Sequence, residues 1–261
     1  MSEHELLRSS FNAAATLYDR VRPGYPPEII DAIVALAALP PTGKILEVGC
    51  GTGQITLPFA KRGYTILALE PGDALAALAA QNCRSYPQVT ITQTTFEAWP
   101  VQAAGFDLLL SAQAFHWVDP AFGCAKAAAA LRSGGAVALV WNLDVSQQTA
   151  FYQASQPLYD AYFPATTDSG TNTSLAAQAN RCKATLTRSA DFADLHEIRH
   201  PWSTSYAAAD YLDLLHTYSD HRLLPEPNKT GFFQAIEALI ARFGGVVPCQ
   251  YETLLLLARR R

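Results

Sequence analysis

An α/β fold with a mostly parallel sheet is predicted by three observations on the sequence. From residue 44 onward, short apolar segments alternate with alanine-rich segments of helical character, which is typical of βαβ units. Alternating glycines follow the first apolar segment, and 261 residues suffice for one large α/β domain. The first five predicted strands are Lys44–Gly49, Thr65–Glu70, Val89–Gln93, Phe106–Ser111 and Gly135–Trp141.

The segments outside this alternation complete the predicted domain. Two helical segments precede the first strand, and we interpret residues 1–40 as an N-terminal helical lid. Residues 143–185 are polar with several aromatic side chains, which indicates a helical insertion over the carboxyl ends of the strands. Further strands are predicted at 192–206 and 246–258, and two glycines before the last one allow it to run antiparallel. We therefore predict a single domain with helices on both faces of the sheet.

The helix between the fourth and fifth strands has the clearest predicted boundaries. Asp119 followed by Pro120 is typical of an N-cap and a first helical residue. Gly134 and Gly135 are typical of a helix end. The helix is predicted between these two signals.

Composition and charge argue against several classes of function. The chain is 49% hydrophobic and 16% charged, which is typical of a soluble globular protein. Its formal net charge of -4, without a basic patch, makes a nucleic-acid partner unexpected. No apolar run approaches the roughly 20 residues of a membrane span. Five widely spaced cysteines favour reduced thiols in a cytoplasm, and no metal site is expected because no His/Cys cluster has ligand spacing.

The strongest functional signal is the loop at residues 49–53, where glycines alternate between a strand and a helix. A nicotinamide-dinucleotide site requires G-x-G-x-x-G, with the pyrophosphate at the helix N-terminus. This loop is G-x-G-x-G, and Gln54 occupies the position of the third dinucleotide glycine. Glu47, inside the preceding strand, suits an ammonium group better than a pyrophosphate. The loop favours a ligand that carries an ammonium group, and an NAD(P)-binding oxidoreductase is the alternative.

A second signal stands at the end of the second predicted strand. Glu70 follows Gly49 by 21 residues, and a carboxylate there can accept hydrogen bonds from both hydroxyls of a ribose. The alternative role of Glu70 is a charge near the start of a helix, favoured by the helix dipole. Together with the glycine loop, Glu70 predicts a nucleoside ligand.

These residues resemble the cofactor site of a known enzyme family. Glu47–Gly53 with Glu70 is similar to that of class I S-adenosylmethionine-dependent methyltransferases, and the type 11 group with its trans-aconitate-methyltransferase-like members is most similar. Tyr18–Pro26 resembles the N-terminal motif of that group, and Phe106–Pro120 resembles the segment around its fourth strand. The resemblance implies a Rossmann-like sheet of seven strands, the last one antiparallel, and S-adenosylmethionine as cofactor.

The resemblance covers most of residues 14–142 and, more loosely, 192–258, and it implies roles for individual residues. The glycine loop and its acid hold the amino acid and ribose, and the stretch after the third strand lies at the adenine edge. Thr95 departs from the family, which often has an acidic residue there. The implied cofactor-binding residues are Tyr18, Arg22, Glu47, Gly49, Cys50, Gly51, Glu70, Pro71, Thr95, Phe96, Glu97, Ser111 and Gln113.

His116 is the candidate catalytic residue, either as a general base or as a hydrogen-bonded residue of the pocket. A sulfonium methyl group is already activated, so the residues mainly hold nucleophile, methyl and sulfur in line. A carboxylate acceptor needs no base, whereas a hydroxyl or thiol benefits from one. The predicted function is methyl transfer to a small soluble acceptor, with a carboxylate as the candidate. A cofactor-binding protein without turnover is the third hypothesis.

Overall fold

The computed structural model describes residues 15–101, 103–120, 122–163 and 174–261. The helices are α1 (Ala15–Val21), α2 (Pro27–Leu36), α3 (Thr56–Lys61), α4 (Asp73–Asn82), α5 (Gly123–Ala130), α6 (Ala150–Tyr162), α7 (Leu175–Arg188), α8 (Ala208–His216), α9 (Ser219–Leu223) and α10 (Asn228–Arg242). The strands are β1 (Lys44–Val48), β2 (Thr65–Leu69), β3 (Val89–Thr92), β4 (Phe106–Ala112), β5 (Leu131–Asp144), β6 (Phe192–Ala207) and β7 (Val246–Arg260).

Within the described residues, seven strands form one sheet in the order β3-β2-β1-β4-β5-β7-β6. Strands β1 to β5 pair in parallel, with Leu46 opposite Leu67 on β2 and opposite Leu109 on β4. Strand β7 is antiparallel to both β5 and β6. The predicted fold class is therefore confirmed, including the antiparallel last strand. Because the strand order reverses between β1 and β4, a ligand crevice is expected beyond the carboxyl ends of these two strands.

Apolar side chains cover both faces of the sheet. Successive residues of a strand point to opposite faces, and Ile45 and Leu46 accordingly belong to two different buried clusters, as do Leu108 and Leu109. Helices α2, α3 and α4 contribute to the cluster around Ile45, and helices α5 and α7 contribute to the cluster around Leu46. Burial on both faces explains why the central strands are continuous apolar runs rather than alternating ones.

The chain divides into two compact units. The first, which we call the glycine-loop unit, comprises Pro23–Leu143, Leu175–His200 and Thr253–Arg261. The second, which we call the aromatic unit, comprises the described residues of Met1–Arg22, Asp144–Ser174 and Pro201–Glu252. The predicted single domain with a lid at 1–40 and an insertion at 143–185 stays a prediction. Residues 1–14 of that lid and 164–173 of that insertion lie outside the described residues.

Aromatic rings form much of the core of the aromatic unit. Phe232 on α10 is fully buried, and its ring centroid lies 5.0 Å from those of Tyr159 and Phe163 and 5.4 Å from that of His221. Helix α6 packs against α10, and α1 packs against α8. The polar side chains of this unit are therefore held in an environment of stacked and edge-to-face rings.

The predicted boundaries of helix α5 are wrong at both ends. The helix begins at Gly123, with Phe122 as its N-cap, and the Asp119 backbone oxygen accepts from the Gly123 N–H at 3.0 Å. At the other end, α5 stops at Ala130 and β5 begins at Leu131. Leu131 pairs with Phe106 and Ala136 with Leu108, so the residues between Leu131 and Ala136 form an irregularity within the strand. The glycines therefore serve this bulge, with Gly134 at a φ of 71°, and do not cap the helix.

No helix in the described ranges combines the length and apolar character needed to cross a membrane.

Candidate cofactor site

The glycine loop follows β1 and turns sharply under the end of the sheet. Gly49, Gly51 and Gly53 have φ angles of 72°, 58° and 97°, a region that residues with a side chain rarely adopt. A Cβ atom on Gly49 would lie 2.4 Å from the Cβ of Ala114, which follows β4. Gly49 is therefore required both by its backbone conformation and by the close approach of the β4 loop.

The amide groups at the start of this loop are bonded within the chain. The N–H groups of Gly49 and Cys50 donate to the Leu69 carbonyl oxygen at 2.8 and 3.1 Å. The Gly51 N–H donates to Glu70 Oε2 at 2.9 Å. A pyrophosphate loop instead directs its free N–H groups at the anion. The loop is therefore arranged differently from a dinucleotide site.

Glu70, just beyond the end of β2, is buried and faces the glycine loop. Its Oε1 accepts from the Gly72 N–H at 2.9 Å, and its Oε2 accepts from the Gly51 N–H. A carboxylate oxygen has two lone pairs, so each oxygen can accept a second donor. These two backbone bonds fix the orientation of the Glu70 carboxylate near the ends of the parallel strands. A fixed carboxylate at this place agrees with the predicted role of accepting hydrogen bonds from ribose hydroxyls.

Glu47 is the most deeply buried acid of the loop region, with 1% of its surface exposed. Thr56 Oγ1, on the first turn of α3, donates to Glu47 Oε2 at 2.8 Å. Burial raises the pKa of Glu47 to about 8, and the nearby Glu70 carboxylate raises it further, against the lowering effect of the Thr56 bond. A cation bound beside Glu47 would oppose that shift and favour the ionised carboxylate.

Several buried polar atoms around the loop have no hydrogen-bond partner in the described part of the chain. They are Glu47 Oε1, Thr52 Oγ1, Gln54 Nε2 and Gln113 Oε1. Buried polar atoms without partners are uncommon in native proteins and usually indicate a missing water or ligand. Acceptors on Glu47 and Gln113 suit the ammonium group of an amino acid. The residues present therefore fit S-adenosylmethionine, which carries such a group.

The end of β4 contributes Ser111 and Gln113 to the same region. The Ser111 hydroxyl donates to the Val48 carbonyl oxygen at 2.7 Å, which ties β4 to β1. Gln113 has a φ of 58°, its N–H donates to the Val140 oxygen at 2.8 Å, and its Nε2 donates to the Asn142 oxygen at 3.3 Å. Ser111 thus supports the backbone of the site, while Gln113 leaves its Oε1 acceptor for a ligand.

The predicted adenine edge is built mainly by backbone and core packing. Thr95 Oγ1 accepts from the Ala98 N–H at 3.0 Å, so this hydroxyl caps the turn that follows. Phe96 is buried and stacks on Trp99 at 6.4 Å between ring centroids. Lys126 Nζ lies 5.4 Å from the Phe96 centroid and donates to the backbone oxygens of Glu97 and Trp99, both at 2.7 Å. The sequence did not single out Trp99 and Lys126, which stabilise this turn by stacking on Phe96 and by hydrogen bonds to backbone oxygens.

Pro71 stands apart from these buried residues because it is exposed, immediately beyond Glu70. An exposed ring at this position is accessible to a ligand. Its predicted contact with adenine stays a prediction.

His116 is oriented by a buried tryptophan that the sequence did not single out. Trp141 Nε1, on β5, lies 3.3 Å from His116 Nδ1. An indole N–H only donates, so Nδ1 must be the acceptor and the proton of the neutral imidazole must be on Nε2. In this tautomer the lone pair that could accept a proton is already engaged by Trp141. This bond favours a hydrogen-bonded role for His116 over that of a base, and the catalytic assignment stays a prediction.

Tyr18 and Arg22 belong to the aromatic unit, whereas all the other predicted site residues belong to the glycine-loop unit. Arg22 Nε donates to Thr217 Oγ1 at 2.8 Å, and one terminal nitrogen donates to the Thr217 carbonyl oxygen at 3.0 Å. The guanidinium carbon lies 5.0 Å from the ring centroid of Tyr18 and 4.4 Å from that of Tyr218. A guanidinium has five N–H donors, and these bonds use two of them.

Residues 46–139 match the family model described as a methyltransferase domain. This range includes the glycine loop, Glu70, the Thr95–Glu97 turn and Gln113. This part of the chain is therefore similar to the methyltransferase domain family, which confirms the resemblance at that level. The trans-aconitate-like subtype stays a prediction.

Curated relatives share this region. An uncharacterized methyltransferase from Mycobacterium tuberculosis is 40% identical over 134 residues, which are 51% of this chain and 52% of the relative. A malonyl-acyl-carrier-protein O-methyltransferase from Paenibacillus is 32% identical over 126 residues, which are 46% of this chain and 45% of the relative. The chain thus spans about half the length of the curated relatives it matches.

Solved structures are similar over most of the chain but at low identity. A candidate type II methyltransferase from Anaeromyxobacter dehalogenans has a TM-score of 0.63 at 20% identity, covering 91% of this chain and 97% of that one. A phosphoethanolamine N-methyltransferase from Haemonchus contortus, in complex with phosphomonomethylethanolamine and S-adenosylhomocysteine, has a TM-score of 0.53 at 12% identity, covering 95% and 57%. The (4+2)-cyclase SpnF has a TM-score of 0.51 at 14% identity, covering 92% and 83%. Because a cyclase shares this fold, the activity must be argued from the site.

Proposed function

We propose that this chain transfers the methyl group of S-adenosylmethionine to a small soluble acceptor. The observation that carries the proposal is the set of buried, partnerless polar atoms around the glycine loop, above all Glu47 Oε1 and Gln113 Oε1. Two acceptors suit an ammonium group, and Glu70 is fixed where it can accept from a ribose diol. The family match of residues 46–139 supports the same cofactor.

The proposed contacts of the cofactor follow from these groups. Glu47 and Gln113 bind the ammonium group, and Glu70 accepts from both ribose hydroxyls. The loop residues Gly49, Cys50 and Gly51 form the floor, with Ser111 supporting it through Val48. The remaining proposed contacts are Pro71, Thr95, Phe96 and Glu97 at the adenine, and Tyr18 and Arg22 at the methionine carboxylate. When bound, S-adenosylmethionine supplies a methyl group on a sulfonium sulfur, and the residues need only orient the acceptor toward it and exclude water.

The arrangement of His116 favours an acceptor that requires no base. Its Nδ1 accepts from Trp141, so its Nε2 donates, and a donor can hold a carboxylate oxygen beside the methyl group. A carboxylate is already an anion and loses no proton on methylation. The relative from Paenibacillus is named for O-methylation of a malonyl group, which ends in a carboxylate. We therefore propose a carboxylate oxygen as the acceptor atom.

The alternative functions are less well supported by the site. An NAD(P)-dependent oxidoreductase needs loop N–H groups for pyrophosphate, whereas those of Gly49, Cys50 and Gly51 are bonded to Leu69 and Glu70. A cofactor-binding protein without turnover would share every feature of the cofactor site. Turnover therefore has to be measured directly.

We propose that the protein acts in the cytoplasm. The test is incubation of the purified protein with methyl-labelled S-adenosylmethionine and cytoplasmic metabolite extracts. We expect label in the small-molecule fraction, and its release as volatile methanol in mild alkali, because methyl esters hydrolyse there while N-methyl groups and ethers do not. A Glu70→Ala variant is the control for cofactor-dependent transfer. Label only in the nucleic-acid or protein fractions, or an alkali-stable product, would contradict the proposed acceptor.

A matched variant separates a donor from a base at His116. The His116→Gln variant keeps a hydrogen-bond donor but cannot take up a proton, so we expect it to retain activity within about tenfold. Loss of a general base would reduce the rate by roughly 10²–10⁴-fold. A loss of that size, with disappearance of a histidine-like step from the pH–rate profile, would overturn the donor assignment.

A further inference from the structure

A cavity of about 60 Å³ lies within the aromatic unit, formed by α6, α8 and the segments around β5 and β7. A cavity needs about 10–15 Å³ to hold one water molecule, so this cavity has room for about four to six non-hydrogen atoms. Its principal lining residues are Asp144, Phe151, Tyr152, Tyr159, Tyr211 and Tyr218. The size suits the head of a small molecule rather than a whole nucleoside.

Aromatic rings dominate this lining and fix one another. The rings of Phe151 and Tyr211 meet edge to face at 5.5 Å between centroids, and Tyr159 meets the buried Phe232 in the same way at 5.0 Å. Tyr218 already stacks against the Arg22 guanidinium at 4.4 Å. The face of an aromatic ring carries negative potential, which attracts ammonium groups.

The charge of the lining has one sign. Asp144 lies at the exposed end of β5, and its Oδ1 accepts from the Ser146 N–H at 2.8 Å. The lining contains no Lys, Arg or His among the described residues. Burial raises the pKa of Cys249 to about 12, so this thiol stays neutral. Asp144 is therefore the charged residue among the described residues of the wall, while the Arg22 guanidinium lies next to the wall, 4.4 Å from the Tyr218 ring centroid.

The Tyr159 hydroxyl adds to this polarity. Asp220 Oδ1 lies 2.8 Å from His221 Nδ1, and Tyr159 Oη lies 3.1 Å from His221 Nε2. The pKa of Asp220 is lowered mainly by its hydrogen bonds and charge interaction with His221 despite the opposing effect of burial, so this carboxylate only accepts. His221 Nδ1 therefore donates to Asp220, and Nε2 is hydrogen-bonded to the Tyr159 hydroxyl. The Tyr159 hydroxyl is thus linked through His221 to the Asp220 carboxylate.

From the ring lining, the carboxylate of Asp144 in the wall and the volume, we propose that this cavity binds an alkylated ammonium group. The rings surround the group and supply cation–π attraction, while Asp144 supplies the counter-charge at the entrance. A trimethylammonium head has a nitrogen and three methyl carbons, which agrees with the available volume. A neutral group of the same shape would gain the apolar contacts but not the electrostatic attraction.

The experiment compares choline with its neutral isostere 3,3-dimethyl-1-butanol, in which carbon replaces the nitrogen. Binding to the full chain is followed by NMR titration of both probes at matched ionic strength. We expect choline to bind at least tenfold more tightly than the isostere. Equal affinities, or no saturable binding of choline at millimolar concentration, would overturn the proposal.

Two sets of variants assign the interaction to this cavity. Asp144→Asn removes the charge but keeps the oxygen that accepts from the Ser146 N–H, so the fold is preserved and choline binding should weaken at least threefold. Tyr211→Leu removes a ring and should weaken it at least fivefold, whereas Tyr211→Phe keeps the ring and should stay within twofold. Unchanged choline affinity in Asp144→Asn would overturn the proposal even if Tyr211→Leu failed to fold. The result is independent of methyl transfer, because the titration needs no turnover.

Discussion

Two sets of buried polar groups, one in each unit of the chain, are satisfied in different ways. In the glycine-loop unit, Glu47 Oε1, Thr52 Oγ1 and Gln113 Oε1 are buried without a partner in the described residues. In the aromatic unit, Arg22 is bonded to Thr217, and Tyr159 is bonded through His221 to Asp220. Unpaired buried groups cost roughly 1–3 kcal/mol each unless a ligand or water satisfies them. We expect a ligand to satisfy the unpaired atoms of the first unit, whereas the Arg22 and Tyr159 networks of the second unit pair within the chain. Arg222 Nη1 and Tyr251 Oη of the second unit are also buried without a partner in the described residues.

The same contrast separates the electrostatics of the two units. Glu47 and Glu70 are two acids close enough for each to oppose ionisation of the other, and burial keeps the pKa of Glu47 far above its ordinary value. In the aromatic unit, hydrogen bonds and the charge of His221 lower the pKa of Asp220 although burial acts in the opposite direction. Substitutions in the two units should therefore have different consequences for ligand binding and for stability.

The largest expected effect is on ligand binding in the glycine-loop unit. Glu70→Ala removes the acceptor for the ribose and the brace for the Gly51 and Gly72 N–H groups. We expect S-adenosylhomocysteine to bind about 2–4 kcal/mol more weakly, roughly 30- to 1000-fold, when measured by calorimetry. Asp220→Asn in the aromatic unit is the control and should change this affinity less than threefold. Tighter binding of NADP than of S-adenosylhomocysteine to the wild type would invalidate the cofactor assignment.

An effect of intermediate size concerns pH and Glu47. The pKa of Glu47 is raised from 4.5 to about 8 on folding, so the folded state retains a proton that the unfolded state releases between these values. The unliganded protein should therefore lose stability as pH rises from 4.5 to 8, by about 1.4 kcal/mol per unit at most. Urea unfolding at pH 5 and pH 7 measures this loss, and Glu47→Gln should remove most of it.

Binding should show the opposite dependence on pH. If Glu47 ionises beside the ammonium group, S-adenosylhomocysteine releases a proton on binding and its affinity rises toward pH 8. Calorimetry near pH 6.5 in two buffers of different ionisation enthalpy should detect about one released proton for the wild type. Glu47→Gln should release none. An identical proton count in both proteins would place the ammonium group elsewhere.

The smallest expected effect concerns Arg22, which belongs to the aromatic unit and is also a predicted cofactor-binding residue. Arg22→Lys keeps the charge but loses the fork that holds both Thr217 atoms, so we expect a loss of about 1 kcal/mol in unfolding free energy. If Arg22 also binds the methionine carboxylate, S-adenosylhomocysteine should bind about three- to tenfold more weakly. The decarboxylated analogue should lose nothing. Equal losses for both ligands would leave Arg22 with only its structural role.

Much of the fold follows from local patterns in the sequence. Strand β1, predicted as Lys44–Gly49, is Lys44–Val48, and the strand predicted at 246–258 is Val246–Arg260. These predictions are accurate because apolar runs and glycine turns are local properties. The predicted start of α5 was wrong because Asp119-Pro120 is followed here by a turn and not directly by a helix. Helix α5 begins only at Gly123.

The residues of the candidate site can also be predicted from the sequence, but the orientations of some of their side chains cannot. Glu47, Glu70 and the glycine loop are recognisable because their spacing is fixed by one strand and one turn. The orientation of His116 depends instead on Trp141 of another strand, and that of Arg22 on Thr217 near the other end of the chain. Such pairs arise only from tertiary packing, and no local pattern predicts them. The partner Trp141 therefore favours, of the two predicted roles of His116, a hydrogen-bonded residue over a general base, and this role stays a prediction.

The close approach of Gly49 and Ala114 has an evolutionary consequence. Replacing Gly49 by any other residue meets both an unfavourable backbone angle and the Ala114 methyl group. An Ala114→Gly substitution would remove the clash with the methyl group but not the unfavourable backbone angle. Divergence of the loop after β1 therefore requires a coordinated change of backbone in the loop after β4. The two loops can vary in their exposed side chains while their junction stays fixed, so new acceptor specificities are expected to arise by changes elsewhere in the chain.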